Sequence, residues 1–219
     1  MSAEFVIDST PLELVNLGSL AEECVLYLPG CADLMIRKEL QRTFRDFCKN
    51  TSALRVTVRK TLLKDVITYN LPFPYACVID SVYKLMIGDQ KLEKNTDYTI
   101  QDKNTVTVTL AEGSTAAIDD SATTKTYLDV YCILRPQVAS EDCPLFFLNR
   151  YADAIVSGTL ARLHLMSRKP WSDSVMAQIE AGEYTNWKSS ATVDAIAGHS
   201  EGALSGSKTI DCFNREGLL

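Results

Sequence analysis

Residues 33–49 read DLMIRKELQRTFRDFCK, with Ile36, Leu40, Phe44, Phe47 and Cys48 at helical spacing and Arg37, Lys38, Arg42, Arg45 and Lys49 on the other faces. The pattern predicts an amphipathic helix. Just beyond it the texture changes to period-two alternation. Leu54, Val56 and Val58 come first, followed by 77–87, Tyr98 with Ile100, then Val106, Val108 and Leu110, and finally 127–134. Five or more strands are expected. Gly88-Asp89, Lys94-Asn95 and Lys103-Asn104 supply turn residues between them, which argues for antiparallel hairpins or meanders. Residues 111–126, AEGSTAAIDDSATTKT, are small, polar and charged and read as a long loop between two strands.

Working outward, helical spacing returns after Arg135-Pro136, with Leu148, Tyr151, Ile155, Gly158 and Leu163 on one stripe over 144–166. Lys169-Pro170-Trp171 breaks the chain, and Ser172 is the expected N-cap of a further helix carrying Val175, Met176, Ile179 and Trp187. A short Pro-containing turn between two helices predicts an antiparallel pair. At the other end, Pro11 and Pro29-Gly30 mark breaks, so residues 1–30 are expected to be extended, with one short helix near 12–23. Residues 198–219, GHSEGALSGSKTIDCFNREGLL, are Gly- and Ser-rich and then carry scattered apolar residues, the composition of an extended arm.

The expected fold class is α+β: a small helical bundle (N-terminal helix plus C-terminal helical pair) with an inserted antiparallel β unit and an extended C-terminal arm. The boundaries read as 1–30 for the N-terminal extended segment, 31–53 and 140–197 for the bundle, 54–136 for the β domain and 198–219 for the arm. Each amphipathic helix needs a partner for its apolar stripe, so the helices flanking the strands are expected to pack together.

A chain of 219 residues can bury a sizeable core as one domain or two small ones. At 46% hydrophobic and 23% charged it has globular proportions, which excludes fibrous, low-complexity and wholly disordered classes. A net charge of −6 and a pI near 5.0 disfavour a generic nucleic-acid binder, while leaving room for a local basic patch. Met1-Ser2-Ala3-Glu4 lacks the basic and apolar regions of a signal peptide, and no apolar run approaches the ~20 residues of a membrane helix. The expectation is a chain made in a reducing cytoplasm, with no membrane partner. Seven cysteines, odd in number and without C-x-x-C, read as reduced core residues. Asn50-Thr51-Ser52 fits a glycosylation pattern but reads as a helix end turning into a strand.

Motifs with chemical content are few. Gly198-His199-Ser200-Glu201-Gly202 matches G-x-S-x-G, but that elbow needs a strand before it, a helix after it and a histidine downstream. His164 and His199 both precede Ser200. Two distant histidines and unclustered cysteines give no metal-ligand spacing, neither common phosphate-cradling glycine loop occurs, and Asp119-Asp120 reads as a solvated loop tip. No catalytic residue, metal site or cofactor is expected. On the 33–49 helix, Asp33, Glu39 and Asp46 oppose the five cations, so a solvated, ion-paired face is favoured over a nucleic-acid face. If these cations act on a partner, an acidic partner subunit suits them best. Arg37, Lys38, Arg42, Arg45 and Trp171 are therefore the inter-subunit candidates. Phe44, Phe47, Phe146, Phe147, Tyr151, Trp171 and Trp187 read as core or interface aromatics.

Three segments together resemble the head-to-tail adaptor, or connector, proteins of tailed bacteriophages. The first is Leu28-Pro29-Gly30-Cys31-Ala32 running into Leu40-Gln41-Arg42-Thr43-Phe44-Arg45-Asp46-Phe47-Cys48-Lys49-Asn50-Thr51, an apolar-Pro-Gly turn, a basic helix and F-C-x-x-T. The second is Leu134-Arg135-Pro136. The third is Tyr151-Ala152-Asp153-Ala154-Ile155 with Gly158-Thr159-Leu160-Ala161-Arg162-Leu163, then Lys169-Pro170-Trp171-Ser172-Asp173 and Ala177. The resemblance spans roughly residues 28–190; Leu54 departs from it, standing where such sequences often have tryptophan.

The resemblance implies a non-catalytic virion protein in the neck between capsid portal and tail. Its partners would be the portal protein, a tail or nozzle protein and copies of itself in a ring, usually of twelve. Genomic DNA would pass close by without specific binding. By analogy, the arm would dock on the portal, with Ile210, Cys212, Phe213, Leu218 and Leu219 as apolar anchors. An acidic channel wall would repel the phosphate backbone of DNA in transit. Two alternatives remain: another virion ring, such as a tail terminator or tube-like component, and a stand-alone β-rich binding module using the 111–126 loop.

Overall fold

A computed structural model of the chain describes residues 13–62, 67–71, 77–88, 90–102, 105–109, 127–138, 140–196 and 201–203. The elements run β1 (Leu14–Asn16), a 3-10 turn (Leu17–Leu20), α1 (Ala21–Tyr27), α2 (Asp33–Thr51), β2 (Arg55–Thr61), β3 (Thr68–Asn70), β4 (Cys77–Ile87) and β5 (Gln90–Lys91). They continue with β6 (Tyr98–Asp102), β7 (Thr105–Val108), β8 (Tyr127–Pro136), β9 (Asp142–Pro144), α3 (Leu145–His164), α4 (Ser174–Ile196) and β10 (Glu201–Ala203). Among the described residues the protein is mixed α+β, with four helices and antiparallel sheets; the parallel pairing of β10 with β2 is the exception.

The helix read from residues 33–49 extends two residues further, and Thr51 explains where it stops. Its hydroxyl donates to the Phe47 carbonyl at 2.8 Å and accepts from the Ala53 N–H at 3.2 Å. Ser52 then turns left-handed at φ 53°, and the chain enters β2. The Asn50-Thr51-Ser52 tripeptide is thus a helix end turning into a strand, as its sequence indicates.

Three strands of the larger sheet, β2, β8 and β4, lie antiparallel in that order, with β10 and β5 at the two edges. A separate sheet holds β3, β7 and β6. Gly88, at φ 56°, begins the two-residue connection that pairs Ile87 with Gln90, and Asn95, at φ 69°, turns the chain before β6. Both are positions where a left-handed backbone favours the residue types present. The inner face of the larger sheet carries Val56, Val58, Val82, Leu85, Val130 and Cys132, all in the main core cluster.

The helices meet that core through aromatic side chains. Phe147 of α3 packs edge-on against Phe44 at 5.1 Å and Phe47 at 5.9 Å, and Tyr151 lies 5.2 Å from Phe47. Each such pair contributes about 0.5–1.5 kcal/mol beyond its buried area. Gly158 lets α2, α3 and α4 approach: a Cβ there would stand 2.6 Å from Thr43 Cγ2 and 2.7 Å from the Tyr184 ring.

Three expectations need correction. The short helix expected near 12–23 is a 3-10 turn followed by α1, and residues 14–28 are largely folded rather than extended. Leu17, Ala21, Cys24 and Leu28, spaced i, i+4, i+7 and i+11, are all buried, and Asn16 caps the turn by accepting from the Gly18 N–H at 2.7 Å. The N-cap of α4 is Asp173, not Ser172: Asp173 Oδ1 accepts from the Val175 and Met176 N–H groups at 2.9 and 3.1 Å. Ser172 instead directs its hydroxyl to the His164 carbonyl at 3.4 Å. Lastly, the segment expected as a free arm from 198 onward contains β10, paired along Arg55–Thr57. The loop 111–126, the Asp119-Asp120 pair and residues 204–219, with Ile210, Cys212, Phe213, Leu218 and Leu219, lie outside the described residues.

Candidate functional site

The cations of α2 divide by partner. Arg37 donates from Nε to Asp33 at 2.6 Å and its guanidinium lies over Gly18, while Arg42 pairs with Glu39, whose side chain is nearly buried. These are pairs within one helix, worth tenths of a kcal/mol at an exposed site. Lys38 is exposed; Arg45 is half-buried, with a Nε that has no hydrogen-bond partner.

Trp171, an inter-subunit candidate from the sequence, is buried in its own chain at 8% exposure. Its carbonyl lies 2.8 Å from Nδ1 of the buried His164, so that nitrogen must carry the proton. Lys169 sits 5.8 Å from the Trp171 ring centroid. Burial within its own chain leaves little of the indole for a neighbour to meet.

Two surfaces are more distinctive, one that sequence reading did not single out and one whose Val175 and Ile179 it read only as the apolar residues of a helix. One is the outer face of the larger sheet. Alternation on β2 and β8 places Arg55, Thr57 and Arg59 on one face with Tyr127, Asp129 and Tyr131, and Thr57 is buried among them at 6% exposure. On β4 the register slips between Val82 and Lys84, and this bulge brings Tyr83 and Lys84 to the same face. Arg55 lies over the Tyr83 ring at 4.8 Å, Arg59 over Tyr127 at 5.3 Å, and Lys84 over Tyr131 at 5.0 Å. Arg59 is held in a two-pronged pair by Asp129 at 2.7 and 2.9 Å, and Arg135 pairs with Asp80 at 3.5 Å. Arg55 and Lys84 have no such carboxylate among the described residues. Part of the signal was present in RVTVRKT and YLDVYCILRP, where Arg55, Thr57, Arg59 and Thr61, and Tyr127, Asp129 and Tyr131, fall at every second position.

The other surface is α4. Its buried side is a narrow line of Ala177, Tyr184, Ala191 and Ala195. On the opposite side, Val175, Ile179, Gly182, Asn186 and Val193 repeat at helical spacing with no charge among them, and Val175, Ile179, Val193 and Ile196 are 50–79% exposed. Glu180 is half-buried, and Glu183 accepts from the Ser157 hydroxyl of α3 at 3.5 Å.

Neither surface carries a reactive group. Burial pushes the Cys24 and Cys132 thiols up to about 12 and holds Cys48, Cys77 and Cys143 well above their ordinary value. Such thiols are protonated and inert at neutral pH. No three His, Cys, Asp or Glu side chains among the described residues are grouped to hold a metal ion. Helix α4 precedes the G-x-S-x-G match where a nucleophile elbow requires a strand, and its last two residues, Glu201 and Gly202, belong to β10; Gly198, His199 and Ser200 lie outside the described residues. No helix among the described residues is long and apolar enough to cross a membrane. No protein-family model matches the chain, and no curated protein matches it.

Proposed function

We propose that this chain is a structural virion protein, one subunit of a ring of twelve copies that joins the portal of a tailed bacteriophage to its tail and continues the DNA channel. In this reading α2, α3 and α4 form the helical bundle, strands β2 to β8 are the inserted β unit, and residues 198–219 form the portal-docking arm, whose first part pairs as β10 with β2. The protein performs no catalysis, is made in the host cytoplasm and resides in the virion neck. Its partners are the portal protein, a tail or nozzle protein and its own copies.

The observation that carries the reading is where the resembling segments fall. Leu28-Pro29-Gly30 is the turn between α1 and α2, with Gly30 at φ 81°. F-C-x-x-T is the end of α2, Leu134-Arg135-Pro136 closes β8, and Lys169-Pro170-Trp171 is the turn between α3 and α4. These four stretches sit at junctions that set the path of the chain, while residues 151–163 of the third segment lie inside α3, and together they support the reading more than any one motif does.

Electron cryo-microscopy of the particle carrying this chain tests the reading. The expected result is a twelvefold ring between portal and tail. A sixfold ring would assign it to a terminator or tube instead, and a free monomer with no particle association would overturn it. Deleting 204–219, which spares β10, should abolish portal docking and leave the fold intact; unchanged docking would remove the arm's role. An organophosphate probe is expected to leave Ser200 unlabelled.

A further inference from the structure

We propose that a line of cations on α2, Lys38, Arg42, Arg45 and Lys49, is where this chain touches duplex DNA, through the phosphate backbone and without reading its sequence. The contact rests on the channel reading above for its partner, and α2 itself supplies the geometry.

The four residues stand at i, i+4, i+7 and i+11, within about 60° of one another around a helix of 3.6 residues per turn, so they form one line that rises about 16 Å. Lys38, Arg42 and Lys49 are exposed and Arg45 is half-buried. The acids of the same helix lie off the line, and each is engaged: Asp33 with Arg37, Glu39 with Arg42, and Asp46 with Tyr184 and Arg162. Glu141, just before β9, accepts from Gln41 at 3.5 Å. Pairing within the helix therefore takes up its acids but only one cation of the line. Lys38, Arg45 and Lys49 have no ion pair among the described residues, and the Arg45 Nε has no hydrogen-bond partner. On a chain of net charge −6, three uncompensated cations in a row are a local exception.

The residue types select the occupant. A protein interface is built on an apolar and aromatic core from which lysine is depleted. This line has no apolar or aromatic member from Lys38 to Lys49, and two of its four cations are lysines. A phosphate backbone asks only for positive charge within reach. Along about 16 Å of its axis one strand of a duplex presents about five phosphates, one per roughly 3.4 Å, so the two lines match in length and in number of charges. Four contacts fall short of the roughly 6–10 of a strong binder, which leaves the DNA free to slide past.

The test uses the full chain and a short labelled duplex of arbitrary sequence, with binding read by fluorescence anisotropy over a salt series, assembly by sedimentation and the fold by circular dichroism. Four contacts predict that wild-type affinity falls about 150-fold between about 50 and 200 mM salt, a log–log slope near −3.6. K38Q/K49Q, changed at two exposed positions, should stay folded, bind more weakly and fall only about 12-fold over the same range. R37Q, off the line, should follow the wild type. Absence of wild-type binding at the lowest salt, or a K38Q/K49Q slope equal to that of the wild type, would overturn the inference and leave the ring reading intact. Lost assembly in K38Q/K49Q with unchanged DNA binding would overturn it in favour of an acidic subunit. The expected slopes from a chain that never forms a ring would support the contact and overturn the ring reading alone.

Discussion

The Tyr184 hydroxyl donates to Asp46 Oδ2 at 2.9 Å, so one phenol joins α4 to α2 across the helix interface. The same carboxylate oxygen lies 3.4 Å from the Arg162 guanidinium of α3, which makes Asp46 the common acceptor of two neighbouring helices. Burial, with Asp46 beside it, holds the phenol well above its ordinary pKa, so it remains a donor. Tyr184→Phe keeps the ring and removes the donor, an expected loss of about 1.5–3 kcal/mol for a hydrogen bond to a charged group. Tyr184→Ala also empties the space over Gly158 and should cost about 3–5 kcal/mol. Chemical denaturation of the two variants checks both values; an unchanged stability in Tyr184→Phe would show that the hydroxyl contributes nothing.

The two helical glycines predict opposite signs. Gly158→Ala drives a methyl into Thr43 Cγ2 and the Tyr184 ring and should destabilise the fold by about 1–3 kcal/mol. Gly182→Ala meets open space and should stabilise the monomer by about 0.5–1 kcal/mol through the unfolded state alone. Thermal melts should move apart, down for the first and up for the second.

Periodicity made much of this fold legible. The 3.6 repeat of Ile36, Leu40, Phe44 and Phe47, and the alternation in 77–87 and 127–134, gave α2, β4 and β8 nearly to the residue, because each buries one continuous face. The 17–21–24–28 repeat was equally regular, yet Pro11 and Pro29-Gly30 suggested breaks around it, and α1 was placed too early. Pairings such as β1 with β9 join residues over a hundred apart, and no local pattern specifies them. On α4 the spacing of Val175, Met176, Ile179 and Trp187 suggested one apolar stripe, but Val175 and Ile179 are exposed, because the buried side is the line of Ala177, Tyr184, Ala191 and Ala195 opposite them. The sheet face depended on a bulge at Tyr83, which shifts outward a residue that strict alternation would not.

Ser172 and Asp173 illustrate how finely a cap must be placed. Both residue types cap helices, but only Asp173 reaches two free N–H groups of the first turn. Asp173→Ala should therefore cost about 1 kcal/mol, within the range for lost N-caps, and its charge at the positive end of α4 adds a salt-dependent part. Ser172→Ala, which loses a 3.4 Å bond to a carbonyl, should cost less. Urea titrations at low and high salt distinguish the two, and a larger loss at Ser172 would reverse the assignment.

The buried thiols predict how the protein responds to alkali. In the folded chain, burial raises Cys24 and Cys132 to about 12 and holds Cys48, Cys77 and Cys143 well above the ordinary value of 9.0. A group with a raised folded pKa contributes stability that is fully present below its unfolded value and is lost as pH climbs toward the folded one. Between about pH 9 and 12 the unfolded chain releases these protons while the folded chain keeps them, so stability falls by about 1.4 kcal/mol per pH unit for each thiol. Five thiols acting together would remove about 7 kcal/mol per unit, comparable to the entire stability of a typical domain, about 5–15 kcal/mol. The urea midpoint should therefore be nearly flat from about pH 7 to 8.5 and collapse near pH 10. Cys132→Val, which fills the same buried position without an ionisable proton, should lessen that slope by about one thiol's share. A midpoint that stays level through pH 10 would mean that the thiols ionise as readily in the folded chain as in the unfolded one, contrary to their burial.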